Sequence, residues 1–257
     1  MKGVQIFLHS VRLVTTNLVD ALRVSLVPYA IQMASTMLIM GPVAMVNHEP
    51  AFRIGGEQAT GLLADGLLVI AITAVTFVWA AIAWHRYVLK GELQSGWAPA
   101  LSVGRSWSYL LRSVGIFFIC VVLAIPLGLV VALGVAIFDP FEAPRLFEFL
   151  VWVFFVLPIS YVSYRLSAAL PASAVDRLGP LTQGWTATEG AKSAILVVSL
   201  ITTALLSGLP YLASTIFNER LVLALIWEVI YGWAVMMIGL SILTTLYGHY
   251  VEGRPLA

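Results

Sequence analysis

Six long apolar stretches alternate with shorter polar segments along the chain. A bilayer core about 30 Å thick needs about 20 apolar residues at 1.5 Å of helix rise each, so each stretch can cross it. The stretches are apolar on all sides and do not alternate with polar residues, which favours helices over membrane-barrel strands. The pattern predicts an all-α polytopic membrane helical bundle with six transmembrane helices. The predicted spans are residues 24–46, 62–84, 113–138, 147–164, 193–217 and 229–248.

The first 23 residues have a different pattern, in which apolar side chains recur at steps of three and four. This periodicity predicts an amphipathic helix, and we expect it to lie along the cytoplasmic membrane surface. It could either seat the first span or dock lipids and partners. The chain then divides into this surface helix (1–23), the bundle (24–248) and a short cytoplasmic tail (249–257). The predicted apolar face comprises Val4, Phe7, Leu8, Val11, Val14, Leu18 and Leu22.

Composition excludes several classes of protein. Hydrophobic residues make up 60% of the 257 and charged residues only 11%, with a mean hydropathy of +0.96. A soluble domain carries roughly 25% charged residues, and a soluble chain this apolar would expose more apolar surface than water tolerates. A cytosolic enzyme, a disordered chain and a secreted disulfide scaffold are therefore excluded. The net charge of +1 leads us to expect no nucleic-acid partner.

The distribution of basic residues predicts the orientation. Segments before the first span, between the second and third, between the fourth and fifth, and after the sixth hold eleven of the fourteen Lys and Arg residues. The opposite side holds Arg53, Arg145 and Arg220. Because cytoplasmic loops carry an excess of Lys and Arg, both termini are predicted to be cytoplasmic.

The even-numbered spans end alike. Trp84-His85-Arg86 closes the second span, Ser163-Tyr164-Arg165 closes the fourth, and Tyr247-Gly248-His249-Tyr250 closes the sixth. Each end combines an aromatic residue with a basic or imidazole group. Three related helical hairpins would explain this, although aromatic residues also gather at membrane interfaces without any repeat.

Two acidic residues, Asp65 and Glu228, lie near the predicted spans. If the sixth span begins near Leu221, Glu228 lies about 10 Å inside the membrane, where a charge is costly and usually functional. Alternatively, the 21 residues from Glu228 to His249 already span the core, as do those from Asp65 to Arg86. Both acids would then lie at the outer water boundary.

Several cytoplasmic residues are candidate contacts to lipid headgroups or partners, because they would face the anionic inner leaflet. Generic orientation by positive charge would explain them as well. The histidines lack the spacing of helical zinc ligands, and the sequence contains no P-loop, HExxH or GxSxG motif, so we expect no catalytic residue, cofactor or metal. The candidates are His85, Arg86, Lys90, Arg112, Arg165, Lys192 and His249.

Three pieces carry a resemblance to a family. Residues 83–92 and 243–254 look like segments of uncharacterised bacterial six-span membrane proteins. Trp185-Thr186-Ala187-Thr188-Glu189-Gly190 is similar to a W-x-x-T-x-G-like stretch in such proteins, which include the membrane domain of some glycerophosphodiester phosphodiesterases. The resemblance implies a helical bundle in a bacterial inner membrane and transfers no catalytic residue.

These observations predict a non-enzymatic inner-membrane component. We expect it to scaffold or assemble partners, or to organise lipids, with membrane lipids and a membrane protein or a second copy as partners. The alternative is a small-solute or proton-coupled transporter or channel that uses Glu228.

Overall fold

The computed structural model describes residues 2–47, 57–92, 96–137, 144–177, 179–217 and 220–256. These residues are predominantly helical, and no strand occurs among them. Six segments are long and apolar enough to cross a membrane, which confirms the all-α bundle with six transmembrane helices. They are Leu18–Met40, Leu63–Lys90, Val103–Gly134, Phe147–Ala174, Glu189–Pro210 and Leu221–Val251.

The helices are numbered in chain order. They are α1 Lys2–Thr16, α2 Leu18–Met40, α3 Pro42–Asn47, α4 Glu57–Lys90, α5 Val103–Ile137, α6 Pro144–Val151, α7 Leu157–Ser167, α8 Pro171–Ala174, α9 Gln183–Ala187, α10 Lys192–Ile216 and α11 Leu221–Leu246. We call the end of the bundle where α4, α7 and α11 terminate and α5 and α10 begin the basic end.

Helix α1 is a separate N-terminal helix, but it ends before residue 23. Asn17, at φ −116° and ψ 37°, interrupts the helix between α1 and α2. The Tyr87 hydroxyl donates to the Asn17 Oδ1 atom at 2.9 Å and so anchors this junction to α4. The first candidate span therefore begins at Leu18, earlier than the predicted residue 24.

The face of α1 that is buried against the bundle shares only Val14 with the apolar face predicted to lie along the membrane. The buried residues are Gly3, Ile6, Ser10 and Val14, whereas Leu8 is 56% exposed. A Cβ atom at Gly3 would lie 2.4 Å from the carbonyl oxygen of Ala194, so α1 approaches α10 too closely for a larger residue. Close helix packing selects small side chains, which hydrophobic periodicity does not detect.

The fourth span is interrupted in its middle. A π-helical turn, Trp152–Val156, separates α6 from α7, and Pro158 is the second residue of α7. Proline has no N–H to continue the i→i−4 hydrogen-bond ladder, and a π-turn is one way to accommodate the break. The helical path then continues to Ala174, ten residues beyond the predicted end of this span.

The most deeply buried side chains lie toward the basic end. Trp84, Tyr109, Leu240 and Leu246 are all fully buried. Ser and Thr hydroxyls of α11 join this core to other helices: the Trp84 indole donates to Ser241 at 3.0 Å, and Ser10 and Thr245 are 3.1 Å apart. Such interhelical hydrogen bonds stabilise membrane bundles, and here they hold the helices together at the basic end.

Candidate functional site

Asp176 gathers basic side chains from two helices at the basic end. Its carboxylate accepts hydrogen bonds from Arg105, with Nε 2.7 Å from Oδ1 and Nη2 3.1 Å from Oδ2. Arg86 Nη1 donates to Oδ2 at 3.2 Å, and Lys90 Nζ lies 3.5 Å from the same oxygen. We call Asp176, Arg86, Lys90 and Arg105 the Asp176 cluster. It joins the end of α4 to the beginning of α5.

The electrostatics of the cluster follow from these contacts. The pKa of Asp176 is lowered to about 2 from its ordinary 3.8, mainly by the hydrogen bonds from Arg105. The positive charge of Arg105, the hydrogen bond from Arg86 and the charge of Lys90 lower it further. Its backbone has φ +63°, a left-handed conformation that Asp tolerates better than most residues. The carboxylate is therefore ionised at neutral pH and held in place by the turn after α8.

The Arg86 side chain also binds a backbone carbonyl oxygen at the end of α8. It donates to the Ala174 carbonyl oxygen at 2.8 Å and also pairs with Glu92. A separate link involves Glu252, which accepts a bond from Arg177 at 3.1 Å. Arg254 donates to the Leu89 carbonyl oxygen at 2.8 Å. The ends of the second, fourth and sixth candidate spans are thus tied together by arginine contacts.

Two of the residues predicted to contact headgroups or partners are buried instead. His85 is fully buried, with Nδ1 2.8 Å from the Thr244 hydroxyl and Nε2 3.3 Å from the Tyr109 hydroxyl. Arg165 is only 2% exposed. The structure corrects the expectation that these two side chains face the leaflet, because neither can contact a headgroup in this arrangement.

Arg165 joins α7 to the end of α9. It donates to the Trp185 carbonyl oxygen at 2.7 Å and to the Thr188 hydroxyl at 3.1 Å. Its guanidinium also lies 3.8 Å from the centre of the Trp185 ring, a cation–π contact. These bonds hold α9 and Thr188, the residue that follows it, against α7, so the tryptophan–threonine motif of the sequence contributes to helix packing.

The other candidates occupy different surroundings. Arg112 donates to the Gly179 carbonyl oxygen, and His249 donates through Nδ1 to the Arg254 carbonyl oxygen at 2.8 Å. Lys192 is exposed at the beginning of α10. Of the seven predicted contacts, the structure brings Arg86 and Lys90 together around one carboxylate and leaves the others outside the Asp176 cluster.

The two predicted acids lie away from this cluster. Asp65 is exposed, two residues after the start of the candidate span Leu63–Lys90. Glu228 is half-buried on α11, seven residues after Leu221. The Tyr29 hydroxyl donates to the neighbouring Val229 carbonyl oxygen at 2.8 Å, which places α2 beside Glu228.

A cavity of about 350 Å³ adjoins the Asp176 cluster at the beginning of α5. This site was not predicted, because the third span was expected to begin at residue 113, whereas α5 begins at Val103. Ser102, just before α5, is a residue type favoured at the start of a helix and is the one sequence signal for this earlier start. Within the described ranges, no three His, Cys, Asp or Glu side chains are grouped to hold a metal ion. The cavity is lined by Ser102, Gly104, Arg105, Ser108, Ser173 and Asp176.

Fold and site together define the class of this protein: it is an all-α integral membrane protein with six candidate spans, and ion pairs connect its helices at the basic end. No family model, curated protein or solved structure matches the chain.

Proposed function

We propose that this protein is a non-enzymatic component of a bacterial inner membrane that organises phospholipids at the cytoplasmic leaflet. The observation that carries the proposal is the Asp176 cluster, in which Arg86, Lys90 and Arg105 converge beside an open cavity. Anionic headgroups are attracted to basic residues near the membrane surface and bind specifically where these residues form a pocket. The resemblance to bacterial six-span membrane proteins agrees with this location.

The charge distribution supports the orientation. The basic end holds Arg86, Lys90, Arg105 and Arg254, while Arg220 precedes α11 at the opposite end. Since cytoplasmic segments are rich in Lys and Arg, we infer that the basic end and both termini face the cytoplasm.

Exposed tryptophans support contact with a membrane interface. Trp97, Trp107 and Trp185 are 50%, 59% and 38% exposed, and all three belong to segments at the basic end. Tryptophan is enriched at the headgroup level of membranes, because its ring is apolar and its N–H is polar. The basic end therefore combines anchoring aromatic side chains with a convergent set of cations.

The proposal is tested by purifying the full chain in mild detergent and quantifying every co-purifying lipid and protein by mass spectrometry. We expect enrichment of an anionic phospholipid over its share of the source membrane, and a lower enrichment in Arg105→Gln. The matched control is Arg220→Gln, which removes a cation at the opposite end. A lipid profile equal to that of the membrane would contradict the proposal, and a stoichiometric protein would favour a scaffold for that partner.

The alternative, a transporter or channel, is supported by Glu228. This carboxylate is half-buried about 10 Å along α11, in a segment apolar enough to cross the membrane. If Glu228 carries a proton or binds a cation, Glu228→Gln will abolish flux in proteoliposomes while Glu189→Gln, at an exposed position, will not. Unchanged flux in Glu228→Gln would remove this alternative.

A further inference from the structure

We propose that the cavity at the beginning of α5 binds the phosphate group of a phospholipid headgroup. This inference rests on the proposed function and assigns it a ligand class and a site. The cavity, at about 350 Å³, is within the range of roughly 300–1,000 Å³ that ligand pockets occupy.

The first argument is the position of the cavity at a helix N-terminus. Helix α5 is 35 residues long, and the Ser102 carbonyl oxygen accepts its first hydrogen bond, from Ser106 N–H at 2.9 Å. The N–H groups of the first turn, on Val103, Gly104 and Arg105, have no acceptor within the helix. These donors and the helix dipole favour an anion at this point, and phosphate is one of the anions that bind at helix N-termini.

The second argument is independent of the helix. Ser173 lines the cavity and is only 2% exposed, yet among the described residues its hydroxyl oxygen has no hydrogen-bond partner. A buried hydroxyl is destabilising unless it is bonded, so native proteins rarely leave one without a partner. A phosphate oxygen in the cavity would accept the hydrogen bond that Ser173 can donate.

The charges favour an anion even though Asp176 also lines the cavity. Three cations surround the Asp176 carboxylate. Glu92 pairs with Arg86 and also interacts electrostatically with Arg105, so these three cations and two carboxylates together remain net positive. The bonds from Arg105 to Asp176 use Nε and Nη2, two of the three guanidinium nitrogens. Asp176 therefore orients Arg105 at the cavity wall and does not exhaust its donors.

The surface of α5 favours a lipid as the source of the phosphate. An exposed apolar stripe begins at the cavity's own helix turn and continues along the candidate span with steps of three and four residues. At 100° per residue, it lies about a quarter turn from the cavity residues of α5. Acyl chains would lie against this stripe, which comprises Val103, Trp107, Leu111, Val114, Phe118, Val122, Ile125 and Leu129.

The test is the binding of defined lipids to the purified full chain, measured by native mass spectrometry. The probes are palmitoyl-oleoyl phosphatidylglycerol, the diacylglycerol with the same chains, and inorganic phosphate. Gly104→Leu fills the cavity from its wall, and it should fold because a Cβ atom at Gly104 meets nothing within 4 Å. Gly190→Leu is the matched control: like Gly104, Gly190 is the second residue of a candidate span and has open surroundings, but it does not line the cavity.

We expect wild type and Gly190→Leu to bind phosphatidylglycerol alike, and Gly104→Leu to bind it about tenfold or more weakly, as loss of charge-assisted bonds implies. Ser173→Ala should weaken binding roughly two- to tenfold, since it removes one neutral hydrogen bond. Equal binding of diacylglycerol would overturn the role of phosphate, and inorganic phosphate binding as tightly as the lipid would overturn the lipid source. If Gly104→Leu binds phosphatidylglycerol as tightly as wild type, the cavity is not the binding site, but the proposed function is unaffected. If wild type binds no lipid preferentially, both the binding site and the proposed function are contradicted.

Discussion

Asp176 connects the end of α4 to the beginning of α5. Its carboxylate is the shared acceptor for Arg86, Lys90 and Arg105, which lie about 70 to 90 residues earlier in the chain. Without a negative charge at this position, three cations from α4 and α5 would repel one another at close range. We infer that Asp176 fixes the relative position of these two helix ends and the shape of the adjoining cavity.

The lowered pKa of Asp176 predicts a pH-dependent stability. Because the folded-state value is about 2 and the ordinary value is 3.8, the ionised carboxylate stabilises the fold above about pH 4. This contribution is lost as the pH falls from 4 towards 2. Since the side chain is 49% exposed, we expect the contribution to be only about 1 kcal/mol.

Thermal unfolding of wild type and Asp176→Asn in detergent, followed between pH 7 and pH 2, measures this contribution. The two melting temperatures should differ most at neutral pH and converge near pH 2. Glu189→Gln, at an exposed acid of the same end, controls for the loss of a surface carboxylate. A difference between wild type and Asp176→Asn that persists unchanged to pH 2 would show that ionisation of Asp176 is not its source.

At the scale of the helix, the candidate site lies where two helices extend beyond the apolar pattern. Helix α4 has 34 residues and α5 has 35, so each is about 50 Å long and exceeds a bilayer core of about 30 Å. Arg86 and Lys90 lie on the extension of α4, and Arg105 on that of α5. Hydropathy indicates the solvent around a segment and not where its helix ends, so these extensions could not be predicted from it.

The burial and packing of side chains at these helix ends could not be predicted from the sequence either. His85 and Arg165 were both expected on the cytoplasmic side, but each is buried and hydrogen-bonded to a threonine of another segment, Thr244 and Thr188 respectively. The buried face of α1 contains Gly3 and Ser10, which carry no hydrophobic signal. Only the folded arrangement shows which small residue adjoins a neighbouring helix.

At the scale of the whole molecule, the architecture could be predicted from the sequence. Backbone groups in a bilayer must be hydrogen-bonded within the segment, so a long apolar run determines a helix without reference to its neighbours. All six predicted runs overlap a candidate span. The cluster around Asp176 follows from tertiary contacts between distant segments, which no local pattern contains, so the candidate cavity could not be predicted in the same way.

The proposed function requires the basic end to face the cytoplasm. Lys192 and Arg220 are both exposed and lie at opposite ends of α10, and Cys120 is the chain's single cysteine. In a Cys120→Ser background, Lys192→Cys and Arg220→Cys would be treated separately with a membrane-impermeant maleimide on intact bacterial spheroplasts. We expect Arg220→Cys to be labelled in intact spheroplasts and Lys192→Cys only after permeabilisation. The reverse pattern would place the Asp176 cluster on the outer face and contradict the proposed function.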